Sequence, residues 1–476
     1  MTEQMQNKEH PHPWTFLCLT FGCKVNQYET QAVREAWRLA GGREVENPSD
    51  ANLILVNSCA ITGRAERDAR NCLIRLRHEA PHALLVLTGC AARLVADFVP
   101  RADAPHPEAD SIVVQEQKQD LLRPSVLEWL LETALGGFPI GTISRAVSPI
   151  NCKSLLNRPW PAMQITEFRR ARPVLKVQDG CSHRCTYCIV PQTRGTHVSR
   201  HPDEVVAEAA RLWQDHAEIM ISGVNLGQYG RDHPEYGTFW ELLRHLEGQL
   251  GERFAARRRL RISSLEPSQL DEAGCRILTE SALTAPHLHI SLQHASSAVL
   301  KRMGRGHYKA STLTDALARL QDHWPVMGLG ADILVGFPGE STKDVDELCR
   351  FIEKTPFTYA HVFPYSRRPG TPAASFAEQL PRKEKQARAK VVREVVAEKM
   401  HAFWQSQLQM PSFKLVLDAS EGSLLPGYVH GVNEYYAPCY LPSAIQEGLP
   451  EGLGQRDYIE VRPTGICERG IVVEPL

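Results

Sequence analysis

Gln178-Asp179-Gly180-Cys181-Ser182-His183-Arg184-Cys185-Thr186-Tyr187-Cys188-Ile189-Val190-Pro191 places three cysteines in one short loop at C-x3-C-x2-C spacing. Thiolates this close in sequence can converge on one soft-metal site. On a 4Fe-4S cube, three thiolates leave one iron without a protein ligand, open to a chelating substrate, whereas a four-cysteine electron-transfer site is closed. The competing readings are a zinc knuckle short of one ligand, or three cysteines close by chance. Zinc pairs usually read C-x2-C with a matching partner pair, which this loop lacks.

The apolar run Val174–Val177 leads into the loop, and similar runs recur at 219–222, 260–263, 288–292, 331–335 and 359–363 with helical stretches between them. Pro202–Trp213 opens with a proline and an acid pair, and Thr342–Glu353 follows Ser341 as N-cap. Six β-α repeats predict a partial TIM-like barrel whose chemistry lies at the carboxyl ends of its strands. Those ends are polar or glycine-rich: Ser222-Gly223-Val224-Asn225, Ser263-Ser264-Leu265-Glu266, Gln293-His294, Gly336-Phe337-Pro338-Gly339-Glu340 and Tyr365-Ser366-Arg367-Arg368-Pro369-Gly370-Thr371. Gly223 allows a ligand to approach the backbone, and the Glu266 carboxylate can accept hydrogen bonds from hydroxyls. Each residue alone is also consistent with plain turn chemistry; recurrence at corresponding positions makes a site.

With Tyr187 directly before the last cysteine, the loop resembles the radical S-adenosylmethionine (SAM) signature. The resemblance implies that Cys181, Cys185 and Cys188 hold a 4Fe-4S cluster whose open iron binds the amino and carboxylate groups of SAM. Tyr187, Gly223, Asn225, Glu266 and Gln293 are the candidate SAM contacts, and the turn Gly336–Glu340 is a candidate to pass the adenine.

On the N-terminal side, residues 14–21 read as a buried strand ending at Gly22-Cys23. A helix is predicted from Tyr28 to Ala40, stopping at Gly41-Gly42. Leu53–Asn57 is a second strand, ending at Cys59; a helix spans Glu66–Glu79; Leu84–Thr88 is a third strand, running into Gly89-Cys90. Alternating elements of this kind predict a doubly wound parallel sheet, with ligands at its carboxyl edge. Cys23, Cys59 and Cys90 each follow a strand, so the fold brings them to that edge as a second three-thiolate site; the alternative is a set of unrelated buried cysteines. Cys18 and Cys72 fall inside a strand and a helix and read as core residues. Cys152, Cys275, Cys349, Cys439 and Cys467 have no partner at ligand spacing and read as structural.

Gly22-Cys23-Lys24-Val25-Asn26-Gln27-Tyr28-Glu29, Val56-Asn57-Ser58-Cys59-Ala60 and Thr88-Gly89-Cys90 are similar to the N-terminal signature of the methylthiotransferase family, over nearly the whole chain. The resemblance implies an α/β chain of three parts: an N-terminal doubly wound parallel-sheet domain (14–155), a partial TIM-like (β/α)6 radical SAM barrel (167–400) and a small C-terminal antiparallel β, TRAM-like domain (410–476). It implies an auxiliary 4Fe-4S cluster on Cys23, Cys59 and Cys90 that carries or delivers sulfur, hence two 4Fe-4S clusters and SAM as cofactors. A tRNA substrate and a flavodoxin- or ferredoxin-like electron donor are the implied partners, and the sulfur source is left open. The implied activity is transfer of a methylthio group to carbon 2 of N6-threonylcarbamoyladenosine beside the anticodon. Gln293-His294-Ala295-Ser296 departs from that branch and looks more like the branch acting on a ribosomal-protein aspartate; isopentenyladenosine in tRNA is a further alternative. A rival of another class is a non-catalytic iron–sulfur or zinc RNA scaffold.

Between Val99 and Arg172 the pattern blurs. Asp110–Val114 is a candidate strand, Ser125–Leu135 a helix, and prolines at 149, 159, 161 and 173 mark a connector. Arg169-Arg170-Ala171-Arg172 reads as a solvated linker in preference to a phosphate contact. Beyond it, Pro381–His401 is predicted as a charged helix outside the barrel. Short β patterns follow at 413–417, 427–432, 458–461 and 471–473, interrupted by a loop over Pro438–Gln455. Lys414, Arg456, Arg462 and Arg469 are outnumbered there by Asp418, Glu421, Glu434, Glu447, Glu451, Asp457, Glu460, Glu468 and Glu474. RNA binding by this segment then depends on shape, a few cations and aromatics such as Tyr428, Tyr435 and Tyr436, which more often are core residues.

Over 476 residues, 43% hydrophobic and 23% charged side chains describe a globular protein of two or three domains, and the net charge of −1 supplies no global field for nucleic acid. Met1–His10 is polar with no apolar core of a secretory signal, and no apolar run reaches membrane-span length. Thirteen cysteines in a chain expected to be cytoplasmic point to metal or redox chemistry and not to disulfides.

Overall fold

The computed structural model describes residues 14–92, 112–115, 117–136, 160, 163–168, 171–418, 425–446, 453–454 and 456–476. Asp110, Pro149, Cys152, Pro159, Pro161, Arg169, Arg170, Glu421, Glu447 and Glu451 lie outside the described residues. The chain divides into two compact units: residues 1–165 with 192–195, and residues 166–191 with 196–476.

In the first unit, β1 (Thr15–Thr20), β2 (Arg43–Glu44), β3 (Leu53–Ser58), β4 (Leu84–Gly89) and β5 (Ile112–Val114) form one parallel sheet in the order β2-β1-β3-β4-β5. The runs Leu53-Ile54-Leu55-Val56 and Leu84-Leu85-Val86-Leu87 are completely buried, as expected of parallel strands covered on both faces. Trp14, Phe16 and Trp37 meet in the core, with Phe16 edge-on to Trp37 at 5.4 Å. The helix Lys24–Leu39 begins four residues before the expected Tyr28, directly after Cys23 in extended conformation, and thereby buries Val25. It ends where expected, at Gly41 with φ +86°. Thr62 caps the helix Gly63–Glu79 by accepting from the Ala65 amide.

The second unit contains all six expected barrel strands: β6 (Val174–Lys176), β9 (Glu218–Ser222), β10 (Arg259–Ile262), β12 (His287–Gln293), β13 (Gly328–Val335) and β14 (Tyr359–Pro364), with β6–β9, β9–β10, β12–β13 and β13–β14 paired parallel. Ser263 interrupts the arc, so that β6-β9-β10 form one sheet and the short β11 (Ser264–Leu265) joins β12-β13-β14 in a second. Two-residue strands β7 (Gln178–Asp179) and β8 (Val198–Ser199) pair antiparallel on either side of the cysteine loop. Along β12 and β13 the apolar Leu288, Ile290, Leu292, Leu329, Ala331 and Ile333 are fully buried and alternate with the polar His287, His289, Ser291, Gln293 and Asp332.

The helix Arg382–Gln407 runs past the expected His401, because Trp404 near its end enters the core of the last barrel. That barrel closes β15 (Phe413–Leu417), β16 (Tyr428–Asn433), β17 (Pro438–Pro442), β19 (Gly470–Pro475) and β18 (Ile459–Cys467) in the order β15-β16-β17-β19-β18. The expected loop over 438–455 is corrected here, since Pro438–Pro442 is a strand between β16 and β19. Its apolar run, Cys439-Tyr440-Leu441, is too short to show a period, and a proline at each end disguises it as turn sequence. β18 continues well beyond the expected Val461, with a register shift between Pro463 and Gly465 that accommodates the proline. Four of the barrel's pairings are antiparallel and β17–β19 is parallel.

Within this unit the last barrel is seated on the strand arc by polar contacts. Arg261 donates to the carbonyls of Asn433 and Glu434, each at 3.2 Å, and the Tyr436 ring lies 4.7 Å from His287 and 5.4 Å from Tyr359. Tyr435 packs against the barrel core. Arg172 pairs with Asp418 at 2.9 Å, a structural contact for the one described arginine at the end of the basic run.

Candidate active site

The strand register of the first unit sets its cysteine site. Thr20 lies opposite Asn57, and Asn57 opposite Thr88, so the three adjacent strands end level. Gly22 has φ +92° and Gly89 φ +98°, both in the left-handed region. A Cβ on Gly22 would stand 2.6 Å from Cys59 Sγ, and one on Gly89 would stand 2.2 Å from the Ser58 carbonyl oxygen. The two Gly-Cys dipeptides thus stand where the strand ends crowd one another, and a Cβ at either glycine would collide with the neighbouring strand end.

Cys23 is exposed, while Cys59 and Cys90 are buried, and all three are free thiols. Burial pushes the Cys59 thiol up to about 11; the amide of Ile61 opposes this, the neighbouring Cys23 and Cys90 add to it, and Arg194 opposes it. Three clustered thiolates of this kind need a cation among them, which suits the donor set to a soft metal or iron–sulfur cluster. Arg194 Nε donates to Cys90 Sγ at 3.2 Å, and its Nη atoms reach Glu29 at 2.9 Å and Asn26 at 2.7 Å. Lys118 donates to Asn26 at 3.0 Å and also pairs with Glu29. Asn26 in turn donates to the carbonyls of Phe21 and Ser58, at 2.8 and 2.9 Å, tying the helix to two strand ends. Cysteine spacing gives no role to Asn26, Glu29, Lys118 or Arg194. The visible signal is a run of polar residues, Asn26, Glu29, Thr30, Gln31 and Arg34, among the buried positions of the first helix.

In the second unit the cysteine loop is held by buried side chains. Gln178 donates to the carbonyls of Asp179 and Gly180, both at 2.8 Å, and accepts from the Asn225 amide at 2.8 Å. Gln228 accepts from the Ser182 amide at 2.8 Å, and Thr186 is bonded through its backbone to Met303 and Ala373. Burial pushes the Cys188 thiol up to about 12, with the Val190 amide opposing and Cys185 and Cys181 adding. The three thiols raise one another's protonation while Arg305 opposes this at Cys188, a neighbourhood of soft donors that fits a cluster.

The candidate SAM residues take different places. Asn225 lies against the loop, its Nδ2 3.8 Å from Cys181 Sγ and 3.4 Å from His183 Nδ1. Tyr187 packs edge-on to Phe337 at 6.5 Å and joins a small apolar cluster with Val299, Met303 and Tyr365. Gly223 is closely packed: a Cβ there would stand 2.9 Å from the Gln178 side chain. Gln293 adopts φ +60° at the end of β12. Glu266, 7% exposed, is the charged centre of the site, 3.1 Å from Arg305, 3.0 Å from His307 and 3.3 Å from His183. Burial alone would raise its carboxyl, yet His183, Arg305 and His307 hold it at about 2. Contacts with Cys185 and then Glu266 pull the His183 imidazole up to about 9. Arg305 also reaches Cys185 Sγ at 3.7 Å and the Ser291 carbonyl at 3.1 Å. His183, Arg305 and His307 carry no motif spacing; Arg305 and His307 come from a loop after the fourth strand that only the tertiary fold brings to the cysteines.

His294 and Ser296 serve the fold. His294 is fully buried, 3.6 Å from Glu340, and burial lowers its imidazole to about 4. Ser296 caps the helix Ser297–Arg302 and donates to Asp344 at 2.6 Å.

No helix among the described residues is long and apolar enough to cross a membrane. Residues 175–352 match the radical SAM superfamily, and residues 15–106 match the uncharacterized protein family UPF0004. The chain is 33% identical over 365 residues to the threonylcarbamoyladenosine tRNA methylthiotransferase MtaB of Bacillus subtilis, covering 76% of this chain and 75% of that protein. It is 30% identical over 457 residues to the MtaB of Thermotoga maritima, covering 95% of each. It is 29% identical over 445 residues to the tRNA-2-methylthio-N(6)-dimethylallyladenosine synthase of Bartonella bacilliformis, covering 91% of each. Cys23, Cys59 and Cys90 fall in one matched segment and Cys181, Cys185 and Cys188 in the other, each triad at the carboxyl ends of parallel strands. The chain belongs to the radical SAM methylthiotransferase family, enzymes that use SAM and iron–sulfur chemistry.

Proposed function

We propose that this enzyme transfers a methylthio group to carbon 2 of N6-threonylcarbamoyladenosine beside the anticodon of tRNA. The observation that carries this reading is the match over 95% of both chains to a relative of that name, with both cysteine triads at strand ends. Cys181, Cys185 and Cys188 hold one 4Fe-4S cluster and Cys23, Cys59 and Cys90 the other. Tyr187, Gly223, Asn225, Glu266 and Gln293 border the SAM site, with Glu266 fixed as a carboxylate by Arg305 and His307 to accept hydrogen bonds. When bound, these groups supply reductive cleavage of SAM to a 5′-deoxyadenosyl radical and delivery of sulfur to the carbon from which hydrogen is taken. The chain's own residues hold the loop rigid through Gln178 and Gln228, and place a guanidinium, Arg305, against both Glu266 and Cys185. The segments 14–155, 167–400 and 410–476 are assigned to the auxiliary cluster, the radical chemistry and substrate docking. Electrons come from a cytoplasmic flavodoxin- or ferredoxin-like protein.

The Gln293-His294-Ala295-Ser296 departure gives weak support to a ribosomal-protein substrate, since His294 and Ser296 are engaged in packing and capping. Mass spectrometry of tRNA nucleosides and ribosomal proteins from a deletion strain separates the readings. Loss of 2-methylthio-N6-threonylcarbamoyladenosine alone is the expected result. Loss of the dimethylallyl-type product or of a modified aspartate, with the threonylcarbamoyl product intact, overturns the assignment. In vitro, replacing Cys181, Cys185 and Cys188 by alanine is expected to abolish 5′-deoxyadenosine formation. Replacing Cys23, Cys59 and Cys90 is expected to preserve that formation but stop methylthiolation.

A further inference from the structure

We propose a divalent-metal site formed by His289, Asp332 and His361 on the strand arc of the second unit, distinct from the cysteine loop of that unit and suited to zinc. The three residues come from the adjacent parallel strands β12, β13 and β14, where Asp332 lies directly opposite His361 and Gly330 opposite His289. Their ligand atoms all lie within 4.8 Å of one another, and His289 Nε2 stands 3.2 Å from Asp332 Oδ1. Metal–ligand bonds of about 2.1 Å, at angles between about 90° and 110°, separate neighbouring donors by roughly 3.0–3.4 Å. The His289–Asp332 distance is the edge of such a polyhedron. Two imidazoles and one carboxylate form the donor set of open, water-bearing metal centres, and the exposure of His361 supplies an entry path.

A second layer orients the first. The Tyr359 hydroxyl lies 2.9 Å from His289 Nδ1 and 2.8 Å from His287 Nε2. When it accepts from Nδ1–H and donates to His287, the lone pair of His289 is committed to Nε2, the atom facing Asp332. Gly330 makes this arrangement possible: a Cβ there would stand 2.4 Å from the Tyr359 oxygen and 2.6 Å from His289 Nδ1. Among the described residues a second group with suitable donors, His183, Glu266 and His307, has the Arg305 guanidinium 3.1 Å from Glu266. His289 lies four residues before Gln293 along β12, about 13 Å from the strand end where SAM is placed.

The test uses the full chain with its iron–sulfur clusters loaded, so that the cysteines are occupied. The protein is equilibrated with zinc chloride, freed of excess by gel filtration and analysed for zinc and iron, and crystals are measured across the zinc edge. About one zinc per chain is expected in the native protein, with its anomalous peak among the three side chains. His361→Ala and Asp332→Asn are each expected to lose that zinc while keeping the native iron content, which reports an intact fold. No zinc retained by the native protein, equal zinc in the native and both variant proteins, or an anomalous peak elsewhere would overturn the proposal.

Discussion

Glu218→Gln tests whether a buried ion cluster holds the C-terminal barrel against the strand arc. Glu218 is 1% exposed and accepts from Arg261 Nε and Nη2, each at 2.8 Å, and from Arg259 Nε at 3.2 Å. Arg259 also lies under the Tyr458 ring at 4.2 Å, and Arg261 continues to the backbone of residues 433 and 434. Burial alone would raise the Glu218 carboxyl, but Arg261 and Arg259 bring it from 4.5 down to about 2. A depression of that size corresponds to roughly 3 kcal/mol of linkage. The folded-state value is the lower one, so the stabilisation is fully present above about pH 4.5 and is lost as pH falls toward 2. Near pH 3 less than half of it remains. Removing the charge also strands two buried guanidinium groups, a change in the range of about 3–5 kcal/mol. Thermal unfolding of metal-free full chain at pH 7 is therefore expected to shift down by roughly 5 °C in the variant, for a cooperative body of about 300 residues. At pH 3 the gap between native and variant should shrink by about half. Equal midpoints at pH 7, or a gap that widens on acidification, would refute the cluster as a stabilising element.

Gly89→Ala forces a Cβ to within 2.2 Å of the Ser58 carbonyl at a left-handed φ, a clash with backbone that cannot rotate away. It is expected to cost more than about 2 kcal/mol and to reduce reconstituted iron by roughly half, with 5′-deoxyadenosine formation retained. Full iron loading of this variant would contradict the crowded strand-end geometry. Arg194→Met removes the cation that touches Cys90 and leaves Glu29 with Lys118 as its remaining cationic partner among the contacts described above. The midpoint potential of the N-terminal cluster should fall, because an anionic reduced state loses a nearby positive charge, and Arg194→Lys should recover part of the shift. An unchanged potential in the methionine variant would remove Arg194 from the electrostatics of that site.

Much of the architecture is written in local pattern. The β-α alternation on both sides of residue 170 is enough to place all six barrel strands and the four longer strands of the first sheet, because apolar runs bounded by glycine, proline and capping residues are local signals. Pro438–Pro442 escapes that reading because a central strand framed by two prolines looks like a turn. The last turns of Arg382–Gln407 escape it because Trp404 is buried by a domain that follows it in the chain.

The sequence by itself determined the two cysteine triads and their strand-end positions, since thiol spacing and strand boundaries are both readable within a few residues. Only the tertiary structure decided what surrounds them. Arg194 against Cys90, Arg305 and His307 around Glu266, and the His289–Asp332–His361 group all join residues from separate elements. Their proximity comes from strand order, register and the close approach that a few glycines permit, which are properties of packing that no single stretch of sequence contains.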